Sequence, residues 1–200
     1  MSEAPESTGH KRGGDTRARI QQVALELFAE QGYERTSLRE IAERLGVTKA
    51  ALYYHFKSKE DIVLGLTEDY FTEFDALIDW ARSQPTGPAT RRAVVERYLD
   101  IVRSGSEVFR FIERNQAALR ETPGHKHRFE QFRPRLEALV DVLEPDKSPR
   151  AKVRTTMALL SVNFGWMFFA PDAFGADHEP PDPEELHTIV LEMADDLMNE

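Results

Sequence analysis

Cysteine is absent from the 200 residues, and tryptophan occurs only twice. The first absence removes disulfide scaffolds, thiolate nucleophiles and cysteine zinc sites from consideration. Long apolar runs are missing as well, the longest falling far short of the ~20 residues that a bilayer-crossing helix needs. The N-terminus has no apolar stretch of the kind that signal peptides use. Together these absences predict a soluble, cytoplasmic chain with no membrane partner. Basic charge is also in short supply: 26 Lys and Arg face 35 Asp and Glu, a formal net charge of −9. That total alone speaks against a nucleic-acid partner. The distribution is uneven, however. Residues 1–57 hold nine basic against eight acidic side chains, and residues 58–200 hold 17 against 27. Contact with a polyanion is therefore expected at the N-terminal end alone.

Signatures of catalysis and cofactor binding are missing in the same way. There is no G-x-S-x-G, no P-loop and no G-x-G-x-x-G. His125 and His127 flank Lys126 without accompanying carboxylates, so no metal and no cofactor is expected. The many carboxylates sit at i, i+4 spacing, the pattern of solvated helix faces.

What the chain does contain is helical periodicity, with no stretch that alternates as a strand would. Met1–Gly14 is polar and glycine-rich and reads as a disordered arm, with His10, Lys11 and Arg12 as a small basic cluster. Asp15 or Thr16 starts a helix that Gly32 ends, with Ile20, Ala24, Leu27 and Phe28 on one face. A long helix runs from Ser58 to about Ser83. Further helices are expected over 89–103, 106–120, 126–143, 150–169 and 183–198, with Pro134 kinking or splitting the 126–143 helix. The count is about nine, an all-α architecture.

The richest stretch is Thr36–Lys59. Ser37 and Glu40 make a capping box, and Leu38, Ile41, Ala42 and Leu45 then share one helical face. Gly46 supplies the left-handed turn that leaves this helix. Thr48 caps the next, whose Leu52 and Phe56 point back to the same core. Lys49, Ala50, Ala51, Tyr53, Tyr54 and His55 remain. A cation, small methyl-bearing groups and phenols suit the major groove of B-DNA: Lys49 matches guanine O6/N7, and Ala50 and Ala51 are small enough to approach a thymine methyl. Tyr53 reads two ways, as a phosphate contact or as core.

The run LREIAERLGVTKAALYYHFKSKEDI resembles the N-terminal helix-turn-helix of the TetR family of transcriptional regulators. The resemblance covers about 45 residues, from Thr16 to about Ile62. It implies an N-terminal DNA-binding domain (15–60), a C-terminal effector-binding and dimerisation domain (61–200), and a homodimer on a double-stranded, palindromic operator. It places Tyr53, Tyr54, His55 and Lys59 near phosphates, and Ser37 and Arg39 beside the groove. Repression relieved by a small-molecule effector is the expected activity.

The rest of the chain carries no motif. Its aromatics read mostly as core, but Tyr98, Phe109, Gln116, Asn163 and Trp166 together have the make-up of an apolar ligand site. Met157, Ala158, Ser161 and Gly165 line one side of the 150–169 helix, and Leu186, Ile189, Val190, Met193 and Leu197 form a stripe on the last one. Both stripes can pack inside one subunit. The resemblance implies instead that they form a dimeric four-helix interface. The 58–83 helix is expected to be the only covalent link between the two domains. The rival reading is a helical-bundle enzyme or ligand-binding protein with a vestigial helix-turn-helix, which intact Lys49, Tyr54 and Lys59 oppose.

Overall fold

The computed structural model describes residues 9–120, 123–144, 148–169 and 181–199, with side chains over 15–120, 130–144, 148–169 and 181–198. Every regular element among the described residues is a helix: α1 (Gly9–Gln31), α2 (Leu38–Leu45), α3 (Lys49–His55), α4 (Lys59–Ser83), α5 (Pro88–Arg114), α6 (Gln116–Leu119), α7 (Pro123–Leu143), α8 (Pro149–Phe169) and α9 (Pro183–Asn199). The all-α expectation holds. No described helix is long and apolar enough to cross a membrane.

Three boundaries differ from the sequence reading. Helix α1 begins at Gly9 rather than Asp15. Once a helix is nucleated, each added residue gains a hydrogen bond, so the 15–31 helix propagates backwards despite Gly13 and Gly14. The expected arm therefore falls partly on α1 and partly on residues 1–8, outside the described residues; the side chains of His10, Lys11, Arg12, His125 and His127 also lie outside them. Helix α5 is continuous where a break near Gly105 was expected. A Cβ at Gly105 would stand 2.7 Å from the Tyr70 ring, so this glycine admits a ring and breaks nothing. Pro134 lies within a continuous α7, which it does not split. The cost of proline in a helix, ~3 kcal/mol, is offset by burial of Leu136, Leu139, Val140 and Leu143 on the same helix.

The chain divides into two compact units. One takes in residues up to Thr67 together with Phe111–His125, and the other Glu68–Arg110 with Lys126–Glu200. The N-terminal unit is thus larger than the expected 15–60, because Phe111 stacks on Phe28 at 5.0 Å and tilts against Tyr33 at 5.8 Å. The chain also passes between the units three times, within α4, α5 and α7, and not once.

The N-terminal core joins Ile20, Ala24, Leu27 and Phe28 of α1 to Ile41 and Ala42 of α2, Leu52 of α3, Phe56, and Ile62 of α4, all buried. Each fully buried side chain of this size contributes roughly 1.5–3 kcal/mol. The second unit has its own core of Phe74, Tyr98, Leu99, Leu139, Leu159 and Val162 with Val190 and Ala194. A buried polar pair lies within it: the Thr155 hydroxyl donates to Glu144 Oε1 at 2.6 Å, and Arg91 stands 4.0 Å from the same oxygen.

Candidate nucleic-acid interface

The local signals of the Thr36–Lys59 stretch appear in the structure as bonds. The Ser37 backbone N–H and hydroxyl both donate to Glu40 Oε2 at 2.7 Å, and Glu40 N–H returns a bond to Ser37 Oγ at 3.2 Å. The Ser37 hydroxyl, then its N–H, hold the Glu40 carboxyl below the usual carboxylate range. Gly46 adopts φ +69°, and the Val47 N–H closes on Ala42 O at 3.0 Å. Thr48 caps α3 by accepting the Ala51 N–H at 3.2 Å. Ten residues after Thr48 a second reciprocal cap opens α4: Ser58 N–H donates to Asp61 Oδ2 and Asp61 N–H to Ser58 Oγ, each at 3.1 Å.

These caps fix a short helix with one face inward and one outward. Leu52 and Phe56 are buried, whereas Thr48, Lys49, Ala50, Ala51 and Tyr54 are exposed, Tyr54 to 81%. Tyr53 and His55 are half-buried at the edges. Lys49 Nζ sits 5.4 Å from the Tyr53 ring centroid, and the Tyr54 and His55 rings meet edge-on at 5.2 Å. The face therefore presents one cation, two methyls and a phenol on a rigid support, a set of groups that can meet base edges and phosphates.

Two of the expected contact residues are otherwise engaged. Arg39, exposed beside Ser37, pairs with Glu43 at 2.7 Å, a bond that raises its guanidinium pKa. Lys59 donates to Tyr33 O at 2.6 Å and Glu34 O at 3.4 Å, and lies over the Tyr33 ring at 4.4 Å. An ammonium has three donors, and Lys59 spends two of them on loop carbonyls. It is a pin between α4 and the α1–α2 connection. Tyr33, which the sequence reading passed over, completes that pin by donating to Glu60 Oε1 at 2.8 Å. Burial, and then this bond, push the Tyr33 phenol pKa well up. The available signal was Tyr33 itself, an aromatic directly after the helix-ending Gly32.

In the C-terminal unit, Phe109, Asn163 and Trp166 line one apolar pocket of about 80 Å³ with Val102, Ser106, Arg110 and Met167. Tyr98 stands behind it, its hydroxyl accepting from Asn163 Nδ2. Gln116 does not line this pocket; it is exposed on α6 and bonded to Glu113. A larger cleft of about 300 Å³ is lined mainly by Arg92, Glu192, Asp195 and Asp196, too charged for an apolar ligand. Among the described residues no group of His, Asp and Glu is placed to hold a metal.

The two stripes on α8 and α9 separate into inward and outward residues. Ala158, Leu186 and Val190 are buried inside the subunit. A Cβ at Gly165 would stand 2.8 Å from Val190 Cγ2, so this glycine brings α8 against α9 of the same chain. Ser161 and Leu197 are half-buried. Met157, Ile189 and Met193 do face outward, Met157 to 62%, and Val153, Phe164 and Phe168 join them. Phe164 and Phe168, among the aromatics whose helical spacing reads mostly as core, stack on each other at 6.1 Å and are about half exposed. The spacing 153, 157, 164, 168 is one helical stripe, a signal present in the sequence.

Comparison with known proteins agrees with this geometry. Residues 20–66 match the model of the bacterial regulatory proteins, tetR family. The HTH-type transcriptional activator FasR of Mycolicibacterium smegmatis is 31% identical over 113 residues, 54% of this chain and 52% of that one. The chain thus spans about half the length of that relative. The HTH-type transcriptional regulator Mb3439c of Mycobacterium bovis is 31% identical over 155 residues, 77% of this chain and 73% of the other. A crystal structure of a transcriptional regulator from Aquifex aeolicus shares the fold, with TM-score 0.68 at 22% identity, over 88% of this chain and 96% of that one. With its capped two-helix reading head and a relative aligned over most of both lengths, the chain belongs to the TetR family of helix-turn-helix transcriptional regulators.

Proposed function

We propose that the protein is a repressor that binds a palindromic operator as a homodimer and leaves it when a small molecule enters the C-terminal unit. The observation that carries the reading is α3 itself: Lys49, Ala50, Ala51 and Tyr54 exposed on a helix fixed at both ends. A helix of this width fits the major groove, and two copies related by a two-fold axis read a palindrome when they stand one duplex turn apart, ~34–36 Å. Repression is the sign adopted because occupancy of a promoter suffices for it. The exposed stripe of Met157, Phe164, Phe168, Ile189 and Met193 supports a second copy as its occupant, since isologous contacts place equal apolar patches face to face. The pocket beside Phe109, Asn163 and Trp166 supports a small, largely apolar effector. Helices α4 and α5 each run through both units, so a ligand that tilts either one changes the spacing of the reading heads. A hundredfold release needs ~2.7 kcal/mol of coupling. The cytoplasm is the compartment where such an operator lies.

The test is a gel shift with the duplex upstream of the protein's own coding region, read beside a scrambled duplex of equal length. Selective retardation of the first supports the reading. Equal binding of both at physiological salt contradicts it. Mass spectrometry of small molecules that co-purify with the protein identifies the effector.

A further inference from the structure

Helices α1, α3 and α4 meet at a guanidinium. Arg17 of α1 is half-buried, and its Cζ lies 4.6 Å from the centroid of the Phe56 ring. Phe56 is the residue that ends α3: its N–H donates to Leu52 O at 3.0 Å, its backbone turns extended, and its side chain is buried. Gly65 of α4 borders the same space. A Cβ there would stand 2.5 Å from Arg17 Nη2, and 3.2 Å from both Gln21 Nε2 and Phe56 Cε1. Glycine inside a helix is less favourable than alanine, and here the omitted methyl is the space that Arg17 fills.

A guanidinium suits such a slot and an ammonium does not. It is flat, weakly hydrated, and stacks on an aromatic face while donating at its edge. Phe56 directly follows Tyr54 and His55, so the seat of its ring sets the pose of the outward face of α3. Moving the ring moves the reading residues without touching any of them.

We propose that Arg17 is a positioning residue for DNA reading: seated over the Phe56 ring with its tip beside the Gly65 backbone, it fixes the pose of α3 and acts by this packing, not by charge on a phosphate. The inference rests on the DNA-reading function proposed above. Two variants separate packing from charge. Arg17→Lys keeps the charge and loses the flat stack. Gly65→Ala keeps the arginine and pushes its tip out of the slot, since the far end of that side chain gives way most easily. Arg17→Gln removes the charge.

The probe is a duplex selected from a random pool by the wild-type chain, compared with a scrambled duplex, by fluorescence anisotropy across a salt series. Arg17→Lys and Gly65→Ala are expected to lose about tenfold of the discrimination between the two duplexes, on the scale of one lost base contact. Their affinity for the scrambled duplex and their salt slope should stay at wild-type values. The inference is overturned if both read like the wild type while Arg17→Gln weakens both duplexes and lowers the salt slope by about one contact. Gly65→Ala behaving as wild type overturns it as well. Should Gly65→Ala not fold, Arg17→Lys decides alone. A wild-type chain that selects no sequence removes the DNA-reading function, and the inference falls with it.

Discussion

The ammonium of Lys59 donates to the backbone carbonyl of Tyr33 at 2.6 Å and lies 4.4 Å from the centroid of the same residue's ring. One side chain thus ties the first turn of α4 to the connection that leads into α2. Tyr33 is tied in turn to Glu60, Phe28 and Phe111. The reading head and the start of α4 therefore move as one body.

Loss of that pin should be visible without DNA. Lys59→Ala is expected to lower stability by about 1–2 kcal/mol, the range for a charge-assisted hydrogen bond that is partly open to solvent. Urea unfolding at neutral pH checks it. An unchanged midpoint, together with a smaller salt slope for DNA binding, would return Lys59 to the phosphate role that the family resemblance implies.

Two glycines should respond to alanine for different reasons. Gly46→Ala meets no neighbour but must hold φ +69°, which costs about 1–2 kcal/mol for a residue with a Cβ. Gly105→Ala improves helix propensity yet drives a methyl to 2.7 Å from the Tyr70 ring, so a net loss of about 1–3 kcal/mol is expected. Thermal melts of the two variants measure both effects. A stabilised Gly105→Ala would show that the ring shifts freely.

Burial raises the phenol pKa of Tyr33, Tyr70 and Tyr98, with the bond to Glu60 adding to the shift at Tyr33. An unfolded phenol loses its proton near pH 10, and the folded ones hold theirs to higher pH. Above about pH 10 the unfolded state therefore binds fewer protons, and stability should fall as pH rises. Tyr70 also buries a hydroxyl that has no partner among the described residues. Tyr70→Phe is thus expected to gain about 1 kcal/mol at pH 7 and to flatten the alkaline loss. Urea titrations from pH 7 to 11 decide it; a destabilised Tyr70→Phe would mean that the hydroxyl is satisfied.

The outward stripe and the inward glycine predict opposite behaviour. Phe164→Glu combined with Met193→Lys should give folded monomers, because both side chains lie on the open face. Gly165→Leu should instead loosen α8 from α9 within each subunit and lower the melting temperature. Light scattering and calorimetry read the two outcomes. A dimer that survives the charge substitutions would place the interface elsewhere.

Local chemistry was legible in the sequence, and packing at a distance was not. The Ser37–Glu40 box, the turn at Gly46 and the inward Leu52 and Phe56 each depend on residues within one or two turns, and each appears as expected. Gly105 looked like a break because the ring that fills its space comes from Tyr70 on another helix. Gly165 looked like a subunit contact because nothing in the sequence announces Val190 as its neighbour. The resemblance implies a phosphate role for Lys59, and its bonds within the chain have no sequence signal because its acceptors are carbonyls, which every residue carries. Phe164 and Phe168 fall among the aromatics whose helical spacing reads mostly as core, although their spacing with Val153 and Met157 marks a separate face.

Base reading by α3 is measured most directly at Lys49. Its ammonium is exposed and braced over the Tyr53 ring at 5.4 Å. The measurement is the affinity of Lys49→Ala and wild type for a selected duplex and for every single-base variant of it. The account predicts a loss of about 1–3 kcal/mol on the parent duplex, with discrimination erased at one or two base pairs in each half-site and retained elsewhere. Uniform weakening across all variants, with the salt slope reduced by about one contact, would make Lys49 a phosphate anchor and contradict the claim.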